Sequence, residues 1–288
     1  MTVRSFAKIN LGLEIVGRRA DGYHDIRTLF QTVTLADELS FEAGPDGSLR
    51  LEGDDPSVAW DETNLILRAA RRLQDVAGSR RGAFIRVKKA VPAGRGLGGG
   101  SSNAAVTLLA LNKLWNLRLG LEELSRAAGR LGADVPYFLH GGLCLGEGVG
   151  DRLTTLPDLT PLACLLIFPP FAIPTAGVYA AVRPSLTSAD NVSKMKRFLE
   201  SGDFGLLEND LERVVFKVHP ELEGWTKLLL EQWAVLSRLS GSGSAVYGLF
   251  PDAARAREAQ RRGFGASAAC LAETLPREQY WMRLGAGV

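Results

Sequence analysis

The stretch PAGRGLGGGSS occupies residues 92–102 and runs directly into the apolar segment NAAVTLLALNKLW at residues 103–115. Glycine lacks Cβ, so this backbone can approach a bulky anion closely and can adopt positive φ. The apolar residues that follow recur at the spacing of a helix packed on a sheet. At the N-terminus of such a helix, free N–H groups and the helix dipole favour a phosphate. We predict a phosphate-binding loop at Gly94–Gly100 and a helix from about Ser101 to Trp115.

The sequence around the glycine loop decides among the known classes of phosphate-binding loop. Gly94, Gly96 and Gly99 match GxGxxG, but the match carries little weight in a chain with 32 glycines among 288 residues. The chain about twenty residues further on is predicted to be helical, whereas a dinucleotide fold needs a strand ending in an acidic residue there. No Gly-Lys-Ser/Thr follows, which excludes a Walker A loop, and the absence of His-Arg-Asp argues against a protein kinase. A flexible surface loop is the plain alternative, although a linker would not lead directly into so apolar a helix.

Composition favours small-molecule chemistry. Hydrophobic residues make up 46% and charged residues 23% of the chain, as in globular proteins. The length suits one large or two ordinary domains. Lys and Arg number 34 against 32 Asp and Glu, for a formal net charge of +2, and no long basic block is present. We therefore expect neither a nucleic-acid nor a membrane partner.

The cysteines and the apolar segments indicate the cellular compartment in which the protein works. Cys144, Cys164 and Cys270 are odd in number, scattered, and form no CxxC pair, which argues for a reducing environment and against a disulfide framework or a structural zinc site. No apolar run resembles a signal peptide or is long enough to span a bilayer. We expect a cytoplasmic protein.

Hydrophobic periodicity and turn residues predict a mixture of strands and helices without regular βαβ alternation, hence an α+β fold. The predicted strands are Ala7–Val16, Thr28–Leu35, Leu39–Phe41, Leu49–Leu51, Phe84–Val87, Leu162–Phe168 and Ala245–Phe250. Besides the helix after the glycine loop, the predicted helices run from Thr63-Asn64 to Gly78, over Leu121–Leu131, and around Val192–Glu200, Phe204–Val214 and Leu222–Trp233. The linker Thr154–Pro161 is the expected boundary between two domains, residues 1–153 and 154–288.

Four further segments, taken with the glycine loop, resemble the GHMP kinases. They are AKINL at 7–11, DGYH at 21–24, GADVPYF at 132–138 and LSGSGSA at 239–245. AKINL together with DGYH is specific to the members whose acceptor is a cytidine-diphosphate-linked methylerythritol. The resemblance implies the two-domain GHMP kinase fold, with a ribosomal-S5-like N-terminal domain and a ferredoxin-like C-terminal domain. One departure is Asn103, where Asp is common; Asn stays polar and can cap the helix, so we interpret it as tolerated variation.

The same resemblance implies that Lys8 and Asp134 are the catalytic pair. A carboxylate that accepts the proton of an attacking hydroxyl suits phosphoryl transfer, and a nearby ammonium keeps it ionised or stabilises the phosphoryl charge. Each residue has a plain structural alternative. Lys8 could be an edge-strand lysine with its head in water, and Asp134 could be a helix N-cap with Pro136 in the first turn.

The binding residues implied by the resemblance fall into two groups. The ATP-binding group is Asn64, Pro92, Ala93, Gly94, Arg95, Gly96, Leu97, Gly98, Gly99, Gly100, Ser101 and Ser102. The substrate-binding group is Asn10, Tyr23, His24, Tyr179, Gly241, Ser242 and Gly243. Tyr23 and Tyr179 would stack on cytosine and His24 would hydrogen-bond its edge, although Tyr179 could equally be a core aromatic. Asn64 most simply caps its helix. The loop Gly241-Ser242-Gly243, which we call the third glycine loop after the third GHMP motif, most simply forms a tight turn.

The implied reaction is ATP-dependent phosphorylation of the acceptor's 2-hydroxyl to give the 2-phosphate and ADP, in non-mevalonate isoprenoid precursor biosynthesis. ATP transfer calls for Mg²⁺, which is bound largely through the phosphates; the sequence reveals no protein ligands for it. Two alternatives stay open. One is a GHMP kinase acting on homoserine or mevalonate, which carry no base to stack. The other is a nucleotide-sensing protein without chemistry, against which the presence of both Lys8 and Asp134 argues.

Overall fold

A six-stranded sheet built around one very long strand occupies the N-terminal half of the chain. The computed structural model describes residues 1–182 and 193–285. The strands are β1 (Thr2–Arg18), β2 (His24–Gly44), β3 (Leu49–Gly53), β4 (Gly82–Lys88), β5 (Leu143–Gly148) and β6 (Arg152–Thr155). Their order is β3-β4-β2-β5-β6, and β1 pairs antiparallel with β2. Only β3 and β4, joined through a helical crossover, run parallel among the described strands of this sheet.

Helices cover one face of this sheet and enclose a core with it. They are α1 (Leu65–Ala77), α2 (Gly99–Leu114) and α3 (Leu121–Gly129). The prediction for α1 is confirmed at both ends, because Asn64 caps its N-terminus and Gly78 ends it in the left-handed conformation. Helix α2 is apolar nearly all round, as a helix enclosed on several sides must be.

The C-terminal half forms a second, antiparallel sheet with its own helices. Its strands are β7 (Ala163–Phe168), β8 (Leu236–Leu239), β9 (Val246–Phe250) and β10 (Ala268–Glu273), in the order β10-β7-β9-β8. The helices are α4 (Thr175–Ala180), α5 (Lys194–Ser201), α6 (Glu212–Val218), α7 (Pro220–Glu231), α8 (Ala253–Arg261) and α9 (Arg277–Leu284).

The two halves share buried residues. A core containing Ile9 and Leu11 of β1 with Leu166 and Tyr247 of the second sheet lies between them. Helix α9 returns to the first half, where Tyr280 packs 5.6 Å from the ring of Phe6. Strand β6 spans the predicted boundary at residue 154, which stays a prediction.

Some sequence predictions differ from the structure. Residues Thr28–Leu35 and Leu39–Phe41 belong to the one strand β2. The single helix predicted over Phe204–Val214 is wrong: a 3₁₀ turn covers Phe204–Leu206, and α6 begins only at Glu212. The chain between them forms backbone hydrogen bonds with β1 in place of helical ones. Val192, predicted to begin a helix, lies outside the described residues, and α5 begins at Lys194.

Strands β5, β6, β8 and β10 and helices α4, α8 and α9 were not predicted at all. Most of them are short, and their pattern is weak over so few residues. Within the described ranges, no helix is long and apolar enough to cross a membrane. All three cysteines are free thiols.

Candidate active site

Two cavities meet at the glycine loop. One, of about 810 Å³, lies between the halves of the molecule, and the other, of about 410 Å³, lies beside the N-terminus of α2. Gly96, Gly98 and Ser101 contribute to the walls of both. We call the larger one the acceptor cavity and the smaller one the nucleotide cavity, after the molecules that the sequence predicts for the residues lining each. A molecule in one would therefore lie next to a molecule in the other across a glycine backbone.

Three glycines give the loop its shape. Gly94, Gly96 and Gly98 have φ of 66°, 77° and 68°. A Cβ on Gly96 would lie 2.1 Å from the Ser240 carbonyl oxygen, and one on Gly98 would lie 2.8 Å from the Phe138 ring. Only glycine fits such positions. Gly98 is the N-cap of α2, so the free N–H groups of that helix point into the cavity junction.

Lys8 and Asp134 come together at this junction. The Lys8 ammonium lies 3.5 Å from the Asp134 carboxylate, and the two side chains are 4% and 35% exposed. Lys8 is fixed against the glycine loop, since its backbone N–H donates to the Leu97 carbonyl at 3.0 Å. Both side chains line the acceptor cavity. A carboxylate open to the cavity with an ammonium beneath it is an arrangement that can accept a proton and stabilise anionic charge.

Irregular pairing of β1 with β2 aims these side chains. The register shifts between Phe6 and Lys8 and again between Asn10 and Gly12. Such bulges twist a strand and redirect side chains beside functional sites. Between these shifts the pairing is regular, so Lys8 and Asn10, two residues apart, lie on the same side of the strand, where the Lys8 ammonium donates to the Asn10 amide oxygen at 2.5 Å. The Asn10 amide nitrogen donates to the Thr28 hydroxyl at 2.7 Å, which fixes the amide's orientation.

Burial sets the protonation tendency of Lys8. Loss of water around the ammonium lowers the pKa of Lys8, and the Asp134 charge opposes that effect by raising it. Asn10 gives the ammonium a further acceptor.

The structural alternatives for Lys8 and Asp134 can now be judged. The edge-strand alternative for Lys8 is wrong, because its ammonium is buried against Asn10 and Asp134. The capping alternative for Asp134 is also wrong: the short 3₁₀ helix at Pro136–Leu139 has Val135 as its cap residue, and that cap position has no side-chain hydrogen bond.

Aromatic side chains form the far end of the acceptor cavity. The rings of His24 and Tyr179 are 5.5 Å apart and inclined by 33°. Burial, followed by the Arg18 charge, lowers the pKa of His24, so a neutral imidazole is favoured. Tyr23 is 66% exposed beside them. A flat, polar-edged ring has stacking surface and hydrogen-bonding groups available here.

The third glycine loop closes the same cavity. Gly241 and Ser242 line it, and the Ser242 hydroxyl lies 2.8 Å from the Thr175 hydroxyl of α4. Two predicted residues do not belong to either cavity wall. Ser102 is completely buried and accepts a hydrogen bond from Ser5, and a Cβ on Gly243 would face Leu239. The hydroxyl predicted to add a phosphate contact at Ser102 therefore points into the protein.

The nucleotide cavity contains Asn64 and residues 92–101 of the loop, as predicted, together with side chains that the sequence did not reveal. The amide oxygen of Asn64 accepts a hydrogen bond from the N–H of Ile66 at 3.0 Å, which confirms the capping role. Lys89 and Trp60 were missed. A lysine shortly before a glycine-rich loop is a weak signal, and no pattern marked Trp60.

Lys89 is held by a buried polar cluster. Its ammonium contacts Asp37 and donates to the Asn103 amide oxygen at 3.2 Å. Asp37 also accepts from the N–H groups of Ala90 and Val91, both at 2.8 Å. The idea that Asn103 caps α2 is wrong, because α2 begins at Gly99 and the Asn103 amide instead donates to Asp37 and Ser5. The cluster thus joins both ends of the glycine loop.

Comparison of the amino-acid sequence with known proteins points to one family. Residues 64–142 match the model of the GHMP kinases N terminal domain, and residues 191–268 match that of the GHMP kinases C terminal domain. The chain is 40% identical over 275 residues to 4-diphosphocytidyl-2-C-methyl-D-erythritol kinase of Chloroherpeton thalassium, covering 92% of this chain and 96% of that one. It is 43% identical to the enzyme of that name from Chlorobium luteolum, covering 92% and 94%.

Solved structures give the same result for the fold. A crystal structure of 4-(cytidine 5'-diphospho)-2C-methyl-D-erythritol kinase superposes with a TM-score of 0.80 at 38% identity, covering 94% of this chain and 99% of that chain. Homoserine kinase from Cytophaga hutchinsonii superposes with a TM-score of 0.78 at 18% identity, covering 97% and 96%, which shows a shared fold alone. The predicted two-domain GHMP kinase fold is confirmed. The chain belongs to the GHMP kinases, in the 4-diphosphocytidyl-2-C-methyl-D-erythritol kinase family.

Proposed function

We propose that this protein transfers the γ-phosphoryl group of ATP to the 2-hydroxyl of 4-diphosphocytidyl-2-C-methyl-D-erythritol, giving the 2-phosphate and ADP in isoprenoid precursor biosynthesis in the cytoplasm. The observation that carries this proposal is the Lys8–Asp134 pair, 3.5 Å apart, at the junction of a nucleotide cavity and an acceptor cavity. Phosphoryl transfer needs two substrates side by side with the reacting atoms in line, and two adjoining cavities support such a pair.

Asp134 acts as the proton acceptor. As the acceptor's hydroxyl oxygen forms its bond to the γ-phosphorus, the proton passes to the carboxylate, the bond to the bridging oxygen breaks, and ADP leaves with the electron pair. The carboxylate is open to the acceptor cavity, whereas the ammonium of Lys8 is buried beneath it. Lys8 orients Asp134 through their ion pair, and its charge stabilises the transferring group.

The glycine loop holds the triphosphate. Free N–H groups at the N-terminus of α2, with the Lys89 ammonium in the cavity wall, favour the negative charge. The oxygen donors at the junction, the Asp134 carboxylate and the Ser101 hydroxyl, suit Mg²⁺, although the described residues contain no group of three or more acidic, His or Cys side chains that could enclose a metal. When bound with ATP, Mg²⁺ would be held by these oxygens together with the phosphates and would supply charge neutralisation.

The aromatic end of the acceptor cavity binds the cytosine. A neutral His24 imidazole can both donate and accept a hydrogen bond at the base edge. Tyr23 and Tyr179 provide ring faces, and stacking of this kind contributes about 1–3 kcal/mol per base. Homoserine and mevalonate carry no base, so the aromatic end disfavours the alternative acceptors.

A substrate panel tests the proposal. Purified protein with ATP and Mg²⁺ is offered the cytidyl acceptor, homoserine and mevalonate, while ADP release is followed and the product is identified by phosphorus NMR. We expect ADP release that depends on the cytidyl acceptor. A higher kcat/KM with homoserine or mevalonate would establish the other acceptor class, and nucleotide binding without turnover on any acceptor would establish a nucleotide-sensing protein.

A further inference from the structure

The segment at residues 208–211, between the 3₁₀ turn and α6, joins the strand that carries Lys8 to the third glycine loop. Its backbone pairs with β1: the Leu13 N–H donates to the Glu208 carbonyl at 2.8 Å, and the Asp210 N–H donates to the Leu13 carbonyl at 2.9 Å. The Asp210 carboxylate accepts from the Ile15 N–H at 2.8 Å. These bonds fix the segment to the continuation of the strand that carries Lys8 and Asn10.

Asn209 makes the second half of the connection. Its side chain is 3% exposed, and its amide nitrogen donates to the Leu239 carbonyl at 3.0 Å and to the Gly241 carbonyl at 2.8 Å. The amide oxygen accepts from the Leu211 N–H at 3.0 Å, so every hydrogen-bonding group of the amide is oriented. One buried side chain therefore supports both Leu239 at the end of β8 and Gly241 in the loop.

Gly241 is the loop residue that lies against the catalytic strand. A Cβ built on it would be 3.1 Å from the Asn10 amide oxygen and 3.6 Å from the Lys8 ammonium. Its φ is +57°, in the left-handed region that glycine adopts without strain. A small shift of Gly241 would therefore change the space above Lys8 and Asn10, and near the reacting atoms a displacement of about 1 Å can cost on the order of a hundredfold in rate.

We infer that Asn209 is a positioning residue for the phosphoryl transfer: it sets the third glycine loop at its distance from Lys8 and Asn10 without touching either substrate. The inference rests on the proposed function. Asn209 lines neither cavity, and it acts through the backbone of Gly241. The role depends on the two N–H donors of the Asn209 amide, which hold the Leu239 and Gly241 carbonyls.

Asn209→Asp tests this inference because it keeps the shape and the acceptor for Leu211 but removes both donors. The matched control is Asn112→Asp in α2, whose amide makes the same kind of contact, to the carbonyl and N–H of Leu119, away from both cavities. We expect Asn209→Asp to lower kcat about tenfold and to raise the acceptor KM at least about fivefold. The dissociation constant of a non-hydrolysable ATP analogue should change less than about twofold, since Asn209, Leu239 and Gly241 do not line the nucleotide cavity.

The outcomes separate the two proposals. Wild-type protein inactive on the cytidyl acceptor contradicts the proposed function. Active wild type with Asn209→Asp kinetics within about twofold of it overturns only the positioning role. Equal losses in Asn209→Asp and Asn112→Asp, or parallel losses of nucleotide and acceptor affinity, also overturn it, because they indicate general destabilisation.

If Asn209→Asp does not fold, Thr175→Val tests the position of the same loop from its exposed side, by removing the hydroxyl that contacts Ser242. The expected result is a rise of about two- to fivefold in acceptor KM with unchanged binding of the ATP analogue. Kinetics equal to wild type in this variant would overturn the inference, since the loop position would then have no influence on the acceptor.

Discussion

Lys8 lies beneath Asp134 rather than beside it: in their 3.5 Å ion pair the ammonium side chain is 4% exposed and the carboxylate side chain 35%. The buried ammonium therefore orients the carboxylate, and the open carboxylate faces the acceptor cavity. Because the two residues reach the pair from different elements, β1 and the segment after α3, the pair exists only in the folded chain. This geometry determines what each substitution in the site should do.

Asn in place of Asp134 should abolish most of the activity. The amide cannot accept the hydroxyl proton, and general-base catalysis is typically worth about 10²–10⁴-fold, so we expect kcat to fall by that amount. The pKa of Lys8 should fall further, because the charge that raises it is removed. Asp252→Asn is the control, since Asp252 caps α8 and Asn caps equally well. A folded Asp134→Asn variant with wild-type turnover would remove Asp134 from the mechanism.

Tyr23→Ala should weaken binding of the acceptor and leave ATP unaffected. Loss of one stacking face costs about 1–3 kcal/mol, which corresponds to a rise in acceptor KM from about fivefold upward. Tyr23 is 66% exposed, so the fold should not change. Tyr23→Phe retains the ring and should behave as wild type. An unchanged acceptor KM in Tyr23→Ala would show that the base lies elsewhere.

Gly98→Ala should impair nucleotide binding as well as stability. The residue has φ of 68°, and a Cβ there would lie 2.8 Å from the Phe138 ring and 3.1 Å from Lys8 Cγ. Gly78→Ala is a matched control, because Gly78 is also left-handed, at 58°, but has open space around it. Both variants should lose about 1–2 kcal/mol of unfolding free energy to strain. Only Gly98→Ala should also lose affinity for an ATP analogue, measured by titration calorimetry, and equal affinity in the two variants would contradict the role of Gly98 in nucleotide binding.

Glu212 should make stability fall as pH rises. Burial raises the pKa of Glu212 from 4.5 to about 7, although Arg238 and the N–H of Leu239 oppose the shift. Between those values the folded state binds more protons than the unfolded state, so the unfolding free energy decreases with pH, by a total of about 3 kcal/mol once pH exceeds 7. The contribution is complete only below about pH 4.5.

Urea unfolding at several pH values checks this effect. Glu212→Gln keeps an acceptor for Leu239 and cannot ionise, so its stability relative to wild type should increase from pH 5 to pH 8. Glu258→Gln, an exposed position on α8, should follow the wild-type profile. Parallel profiles for Glu212→Gln and wild type would show that Glu212 titrates normally.

Local features were predictable from the sequence. The glycine loop, the apolar helix after it and the capped helix α1 depend on residues within a few positions of one another, and short-range sterics and hydrogen bonding decide them. The predicted helix over Phe204–Val214 failed because long-range pairing with Leu13 replaced helical bonds. Ser102 was misjudged for a similar reason, since its hydroxyl found Ser5 on another strand.

The amino-acid order alone determined a glycine-rich loop at a helix N-terminus and the set of motifs typical of the GHMP kinases. Only the folded chain decided that Lys8 is buried beneath Asp134, that Asp37 and Lys89 tie the loop together, and that Asn209 supports Gly241. Spacing along a chain specifies local backbone geometry, but contacts between distant residues depend on how sheets and helices pack, and on which polar groups burial forces to find partners.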